Sequence, residues 1–254
     1  MSFVDGTIIL KSKDEIEKLR KSNIIVAEIL EKIEGIVRPG ITTIDMEKIC
    51  ESELKRRKAK SAFKNYRGYP YNLCISVNDE VVHGMPSKRI LKDGDIVSLD
   101  FGVLYDGFYG DAAVTVPVGN ISNKATKLIE TTRTALERAI DVTRTDNRLQ
   151  DISAAVQSTA EDVGFSVVRA FVGHGIGRNL HESPQVPNFG MPGKGLRLKV
   201  GMVLAIEPMV NAGGSDVRIM DDGWTAVTKD GSLSAHFEHS VAITNNGPYV
   251  LSRL

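Results

Sequence analysis

Apolar residues recur at helical intervals in four parts of this 254-residue chain. The first helix is predicted to begin after Ser12, which forms a capping box with Glu15, and to run to about Glu34. Gly35 then stops it. The pattern predicts the other three helices over about 43–58, 122–143 and 149–163, with short extended segments at 74–77 and 81–83.

Two longer strands are predicted over 96–104 and 108–118, joined at Asp106-Gly107. Asp-Gly between apolar runs is a strong signal for a two-residue hairpin turn. Such a turn makes Asp111 the diagonal neighbour of Asp100 on the same face of the sheet. Two carboxylates side by side repel each other unless a cation lies between them.

The chain repeats part of its pattern at an offset of 107 residues. LKDGDIVSLDFGV at 91–103 has a relative in LKVGMVLAIEPMV at 198–210, with Asp100 and Glu207 in the same place. The later strands match as well, so that Asp111 corresponds to Glu238. Acids in the middle of apolar strands are unexpected, and their repetition makes them candidates for chemistry.

The duplicated helix–helix–strand unit predicts an α+β fold in one domain, 1–254. The halves, about 12–119 and 122–250, are expected to pack about a pseudo-twofold axis. We expect one domain because no linker or low-complexity segment divides them.

Four acids in matched strands and one histidine are candidate ligands of a metal centre. His174 lies in GHGIG, where glycines let the backbone approach a crowded site. Four carboxylates and one imidazole would need about two divalent cations for neutrality, and such ligands suit Mn, Fe(II), Co or Zn. A hydroxide between two such cations is a nucleophile at neutral pH, so hydrolysis of a carbonyl or phosphoryl centre is the predicted reaction class.

Each candidate ligand also has an ordinary structural interpretation when it is taken alone. Asp111 could belong to a turn, Asp100 could pair with a basic residue, and Glu207 before Pro208 could end a strand. Glu238 could lie on a sheet edge, and His174 in a turn. Five ligand-type residues in register with an internal duplication nevertheless favour a metal site.

Composition and charge narrow the classes of function. Lys plus Arg and Asp plus Glu are both 32, so zero net charge gives no support for nucleic-acid or membrane binding. Two cysteines, Cys50 and Cys74, form no disulfide framework and suit a reducing compartment. The N-terminal residues lack a signal-peptide pattern and no apolar run reaches ~18 residues, so the expected location is cytoplasmic.

Six segments between residues 69 and 244 form a specific signature, and the resemblance that they carry extends from Ser12 to the C-terminus. They are YPYNLCISVNDEVVHGMP (69–86), GDIVSLDFG (94–102), DGFYGDAAVTVPVG (106–119), GHGIGRNLHESPQVPNFG (173–190), LKVGMVLAIEPMV (198–210) and FEHSVAIT (237–244). The sequence resembles the methionine aminopeptidases of the bacterial type I class. That resemblance implies the pita-bread fold shared with prolidase, aminopeptidase P and creatinase, in which duplicated halves surround a central curved antiparallel sheet.

The resemblance implies a role for each candidate ligand. Asp100 would hold one metal, Asp111 and Glu238 would bridge the pair, and His174 and Glu207 would complete the second metal. Glu207 would also handle the proton of the attacking water. The free amine of the substrate would bind a metal, which restricts cleavage to the first residue.

Two further histidines match the family pattern. His181 would contact the scissile amide and steady the tetrahedral intermediate, and His83 would contact the substrate near its first peptide nitrogen. The methionine pocket would be lined by Phe63, Tyr66, Tyr69, Cys74, Leu180 and Trp224. Sulfur–aromatic contact suits a thioether. Read without the resemblance, the two histidines are as often surface turn residues, segment 61–72 is a packed aromatic loop, and Trp224 is a loop anchor.

Four positions stand out within this pattern. Phe63 takes the place of a residue that is often smaller in relatives, and Leu180 that of a common aromatic. Ala112 replaces a common Ser or Thr, which could remove a hydrogen bond that supports metal binding. His236, two residues before Glu238, is expected to support the metals or to be a neutral packed histidine.

The predicted function is a metal-dependent aminopeptidase that removes the initiator methionine from nascent polypeptides by attack of a metal-bridging hydroxide. The resemblance further implies a preference for a small second residue and a monomeric state, with the ribosome as a candidate partner. The alternatives are an Xaa-Pro-cleaving enzyme of the same fold and a non-catalytic pita-bread binding protein, which would lose metal ligands. A third alternative, a phosphate-binding loop at 173–177, has weak support because the sequence there matches no phosphate-loop pattern.

Overall fold

The computed structural model describes residues 6–254, and every predicted helix is present in it, with ends within two residues of those expected. The helices are α1 (Lys13–Glu34), α2 (Thr43–Arg57), α3 (Asn123–Asp141) and α4 (Leu149–Glu161). The capping box of Ser12 and Glu15 opens α1, as predicted. Within residues 6–254, no helix has the length and apolar character needed to cross a membrane.

The strands of the described residues form three antiparallel sheets. They are β1 (Lys60–Ser61), β2 (Leu73–Val77), β3 (Glu80–Val82), β4 (Ile96–Tyr105), β5 (Phe108–Pro117), β6 (Ser166–Val167), β7 (Val172–Gly175), β8 (Glu182–Pro187), β9 (Val203–Ile206), β10 (Met209–Asn211), β11 (Val217–Ile219), β12 (Ala226–Thr228), β13 (Ser234–His236), β14 (Glu238–Thr244) and β15 (Gly247–Val250).

The largest sheet has nine strands and the order β1-β4-β5-β14-β9-β7-β8, with β2 on β4 and β15 on β14. Strands that match in the internal duplication therefore lie side by side, because β5 pairs with β14 and their partners β4 and β9 flank them. Two three-stranded sheets, β13-β10-β6 and β11-β12-β3, complete the structure.

The predicted hairpin between β4 and β5 is confirmed. Asp100 pairs with Ala113, so that Asp111 is its diagonal neighbour as expected. Asp106 and Gly107 have φ angles of 48° and 77°, the left-handed conformations that a two-residue hairpin turn requires. The turn fixes the register, and the register fixes which side chains face the same way.

The second copy of the strand pattern is interrupted where the first is continuous. β9 ends at Ile206 in the large sheet, and β10 begins at Met209 in a small sheet. Pro208 lies at the break, and proline cannot donate to a strand ladder. As a result Glu207 stands at the junction of two sheets rather than inside a strand.

The two largest apolar cores of the described residues lie between the helices and the large sheet. One joins α1 and α2 to β4 through buried residues such as Ile29 and Phe101. The other joins α3 and α4 to β9 and β14 through buried residues such as Leu136 and Leu204. Burying such a side chain fully stabilises the fold by about 1.5–3 kcal/mol.

Helix α1 packs on the face of β5 opposite the Asp111 side chain, and it touches the backbone of that strand. A Cβ atom at Gly110 would lie 2.7 Å from the backbone nitrogen of Asn23, so glycine permits this close approach. The side-chain Oδ1 of Asn23 accepts a hydrogen bond of 3.3 Å from the backbone N–H of Asp111. The helix thereby holds the backbone of a candidate ligand.

Candidate active site

Adjacent strands of the large sheet each supply one of the five predicted ligands. In sheet order these residues are Asp100 in β4, Asp111 in β5, Glu238 in β14, Glu207 directly after β9 and His174 in β7. Neighbouring strands lie about 4.8 Å apart, which brings residues that are distant in sequence to one place. All five line the same cavity.

The central group of this cluster consists of Asp111, His174 and Glu238. Each offers one ligand atom, and these atoms lie within 4.8 Å of one another. Nε2 of His174 is 3.9 Å from Oδ2 of Asp111 and 3.6 Å from Oε1 of Glu207. The three central residues are buried, while Asp100 and Glu207 are partly exposed to the cavity.

The donor set fits divalent cations. Oδ1 of Asp100, Oδ1 of Asp111 and Oε1 of Glu238 are buried and have no hydrogen-bond partner among residues 6–254. Such atoms are costly to bury unless something of opposite charge satisfies them. Oxygen-rich ligands with one imidazole are typical of Mn, Fe, Co and Zn sites.

The electrostatics of the four acids lead to the same conclusion. Burial raises the pKa of Asp100 to about 7. Burial and the neighbouring carboxylates raise the pKa values of Asp111, Glu207 and Glu238 well above their usual range. Four such groups cannot all be ionised together without positive charge between them, so protons and cations compete for the same place.

His174 is held in the form that can bind a metal. Burial lowers its pKa to about 4, so the ring is neutral at physiological pH. Nδ1 lies 2.9 Å from the carbonyl oxygen of Gly175, and a carbonyl oxygen can only accept, so Nδ1 carries the hydrogen. Nε2 then presents its lone pair towards the carboxylates.

His181 packs directly against this cluster. Its ring centroid lies 4.3 Å from that of His174, and its Nδ1 lies 2.8 Å from the hydroxyl of Tyr66. Burial, followed by the nearby His174, lowers the pKa of His181 to about 2. The ring is therefore neutral at physiological pH.

His83 also lines the cavity. It follows β3 with a φ of 61°, an uncommon conformation for a residue with a side chain. Its ring is edge-on to Phe171, with centroids 5.4 Å apart, and burial lowers its pKa to about 4. Both predicted non-ligand histidines thus face the same space as the acids.

The six predicted pocket residues, Phe63, Tyr66, Tyr69, Cys74, Leu180 and Trp224, all line this cavity. Tyr69 packs edge-on against Trp224, with ring centroids 5.2 Å apart, and its hydroxyl donates to backbone carbonyl oxygens outside the pocket. The backbone N–H of Trp224 donates to Oδ1 of Asp222 over 2.8 Å, which fixes the backbone of the tryptophan. These rings form an apolar wall beside the acidic cluster.

Sequence reasoning missed other residues of the cavity, namely Arg67, Val82, Phe171 and Val172. Phe171 and Val172 directly precede GHGIG, and Val82 directly precedes His83, so proximity to a motif was the available signal. Arg67 lies in the predicted aromatic segment and has a φ of 52°. No pattern in the sequence distinguished it from a solvated arginine.

Ala112 and His236, the two unusual positions next to ligands, have different surroundings. Ala112 packs into the apolar core under α1 and α2, on the face of β5 opposite Asp111. His236 is 2% exposed, and neither ring nitrogen has a hydrogen-bond partner among residues 6–254. Its Nε2 lies 3.8 Å from Oε2 of Glu207, so Glu207 has a histidine on each side.

Comparison with known proteins agrees with this geometry. The model of "Metallopeptidase family M24" matches residues 17–245. The methionine aminopeptidase of Clostridium perfringens is 54% identical, with 96% of this chain and 98% of that protein covered. Methionine aminopeptidase 1 of Bacillus subtilis is 48% identical, with 97% and 100% covered.

Solved structures give the same grouping. The crystal structure of a methionine aminopeptidase from Thermotoga maritima superposes with a TM-score of 0.96 at 49% identity, covering 98% of this chain and 100% of that one. Prolidase from Pyrococcus furiosus shares the fold alone, with a TM-score of 0.79 and 23% identity over 97% of this chain and 66% of that one. The predicted pita-bread fold is confirmed, and the chain belongs to metallopeptidase family M24, together with the methionine aminopeptidases.

Proposed function

We propose that this protein is a metal-dependent methionine aminopeptidase, which hydrolyses the peptide bond after an N-terminal methionine. The observation that carries the proposal is the convergence of Asp100, Asp111, Glu238, Glu207 and His174 from five adjacent strands, beside an apolar pocket. The high identity to curated methionine aminopeptidases over nearly the whole chain supports the substrate class.

Two divalent cations are proposed for the cluster, chosen from Co, Mn, Fe(II) and Zn. Asp100 would hold one cation, Asp111 and Glu238 would be shared, and His174 with Glu207 would hold the other. The unpartnered oxygens of Asp100, Asp111 and Glu238 support this assignment. When bound, such cations act as Lewis acids that polarise a carbonyl and acidify water.

Glu207 is proposed to move the proton of the reaction. Its carboxylate is 13% exposed and faces the cavity, where it can take a proton from the attacking water and pass it to the leaving amine.

His181 and His83 are proposed to act on the substrate rather than as ligands. A neutral His181 can donate a hydrogen bond to the carbonyl oxygen as negative charge develops there, and this stabilises the tetrahedral state. His83 is proposed to contact the substrate near its first peptide nitrogen, and its position in the lining of the same cavity, beside Phe171, supports this. The two rings would together orient the scissile bond.

The methionine side chain is proposed to lie against Phe63, Tyr66, Tyr69, Cys74, Leu180 and Trp224. A thioether gains both apolar burial and sulfur–aromatic contact in such a place. The proposal further includes one catalytic domain over 1–254, cytoplasmic nascent polypeptides as substrates, a small second residue, and a monomer that works with or without the ribosome.

The test is release of methionine from a Met-Gly-Met peptide by chelated protein, with Mn, Fe(II), Co or Zn added back separately. Cation-dependent release is expected, and Xaa-Pro peptides should be poor substrates. Preference for Xaa-Pro peptides would assign the prolidase-like activity instead. A folded protein that releases no methionine with any of the four ions would overturn the proposal.

A further inference from the structure

Lys11 and Glu182 form a buried ion pair, and Glu182 directly follows the candidate active-site residue His181. Nζ of Lys11 is 2.5 Å from Oε2 of Glu182, and the two side chains are 4% and 3% exposed. Among residues 6–254, no other pair of a lysine or arginine with an acid is so fully buried on both sides. Buried ion pairs are a weak source of stability, because removing both ions from water costs as much as their attraction returns.

The pair connects two parts of the chain that are 171 residues apart. Lys11 ends the segment that leads into α1, and its backbone N–H donates to the carbonyl oxygen of Gly201 over 2.7 Å. Its ammonium also donates to the carbonyl oxygen of Ile9 over 3.0 Å. The lysine is thus fixed at its backbone and at its charged end.

Glu182 uses its other oxygen on the loop that carries His181. Oε1 accepts a hydrogen bond of 3.1 Å from the backbone N–H of Asn179. This bond connects the two ends of the four-residue loop 179–182. Leu180 and His181 lie within this short loop and line the active-site cavity. The Glu182 carboxylate therefore ties the beginning of this loop to its end.

Gly177 provides the space for the pair. A Cβ atom at this position would lie 2.6 Å from Cε of Lys11 and 2.6 Å from Oε1 of Glu182. Its carbonyl oxygen accepts from the N–H of Tyr109 over 2.9 Å, so the backbone cannot move away freely. The last glycine of GHGIG thus leaves room for the ion pair.

We infer that Lys11 is a positioning residue which, through Glu182, fixes the loop that sets the ring of His181 against the metal cluster. This inference rests on the proposed methionine aminopeptidase function. An error of about 1 Å in the position of a catalytic group costs up to about 10²-fold in rate, although binding can be preserved. Loss of the pair should therefore lower kcat and leave the cation affinity unchanged.

The experiment compares Lys11→Met, the double variant Lys11→Met with Glu182→Gln, and the control Lys13→Met, which removes an exposed lysine two residues away. The double variant removes both charges, so no carboxylate is left buried without its partner. Each protein is loaded with Mn, and kcat and KM are measured on Met-Gly-Met. Mn affinity and Tm are measured beside them. The ring signals of His181 are followed by NMR in the cation-free proteins, because bound Mn is paramagnetic and would broaden them, and they are assigned with His181→Gln.

We expect kcat to fall about tenfold or more in both Lys11 variants, with KM and Mn affinity nearly unchanged, while Lys13→Met behaves as wild type. The double variant should regain Tm relative to the single variant but not kcat. The ring signals of His181 should shift in both Lys11 variants and remain in place in Lys13→Met.

Recovery of both Tm and kcat in the double variant would overturn the inference, because the pair would then matter for stability alone. Equal losses of kcat and Mn affinity would also overturn it, since Lys11 would then act on the metal cluster. A wild-type protein without aminopeptidase activity would instead refute the proposed function. In that case the NMR signals of His181 would still decide whether Lys11 positions its ring.

Discussion

The hydroxyl of Tyr66 lies 2.8 Å from Nδ1 of His181, so this tyrosine both lines the proposed methionine pocket and contacts a proposed catalytic residue. If the phenol donates to Nδ1, the other ring nitrogen of His181 carries the hydrogen that a developing oxyanion needs. The sequence pattern placed Tyr66 in the pocket by resemblance, and the structure adds a contact with a proposed catalytic histidine.

Tyr66→Phe removes this hydrogen bond and keeps the ring. We expect kcat on Met-Gly-Met to fall by up to about tenfold, the value of one neutral hydrogen bond, with KM and Mn affinity nearly unchanged. Tyr249→Phe, on β15, is the matched control and should leave kcat as it is. A rise in KM with constant kcat would mean that Tyr66 only binds the methionine side chain.

Asp111→Asn tests the proposed shared ligand. The amide keeps the size of the side chain but removes one negative charge from the centre of the cluster, so cation binding and turnover should both be lost. The cation-free variant should melt no lower than the cation-free wild type, because a buried carboxylate with a raised pKa is itself costly.

The measurement for Asp111→Asn is Tm with and without Mn, together with methionine release. Wild type should gain Tm with Mn by mass action, and the variant should not. Turnover above a hundredth of the wild-type value would count strongly against a shared role for Asp111. A large fall in Tm without cations would show that the carboxylate is structural.

His236→Phe tests the histidine that has no hydrogen-bond partner among residues 6–254. Replacing a buried unpartnered imidazole with a ring of similar size should raise Tm in the cation-free protein. If Nε2 supports Glu207 from 3.8 Å away, Mn affinity should fall by about tenfold at the same time. Isothermal titration measures the affinity, and an unchanged value would assign His236 to packing alone.

Glu53 gives a prediction about pH and stability far from the site. Its carboxylate interacts with Lys32, Arg56 and Arg57, and these hydrogen bonds lower its pKa from 4.5 to about 2. A lowered pKa means that the contribution to stability is complete above pH 4.5 and is lost as the pH falls towards 2.

Glu53→Gln should therefore lower Tm at pH 7 by about 2–4 °C, which corresponds to about 1 kcal/mol for a chain of this size. The difference from wild type should shrink as the pH is lowered from 4.5 towards 2. Glu51→Gln, which removes a more exposed acid of the same helix, should have little effect. A Tm difference that is constant with pH would mean that shape, and not charge, causes the loss.

The parts of the fold that follow from local pattern could be predicted from the sequence. The capping box of Ser12 and Glu15 and the turn at Asp106-Gly107 act over a few residues, and the structure contains both. The hairpin turn fixed the register, so the placement of Asp100 beside Asp111 followed from two residues. The internal repeat then identified Glu207 and Glu238 as candidate ligands, although the order of strands in the sheet was not known.

The remaining features depend on contacts between distant segments. Lys11 with Glu182 and Asn23 with Asp111 are pairs that no periodicity relates. The hydroxyl of Tyr66 contacts His181 because the folded sheet places the aromatic segment 61–72 next to the loop between β7 and β8. The roles of the ligands and histidines in the reaction stay predictions until the variants are measured.

The pairing of β5 with β14 also bears on how the protein is assembled. In residues 6–254 this join consists of two residue pairs in register, Glu238 with Ala113 and His239 with Ala112, whereas the β4–β5 hairpin has ten. Asp111 lies on β5 and Glu238 lies on β14, so the two acids are on the two strands that this short pairing joins. Neither half of the chain contains both acids, so no partly folded state with one half formed can hold a cation that needs both. A titration with cations would then report completed folding as well as affinity, and cations shared by these acids would reinforce a join that has only two residue pairs in register.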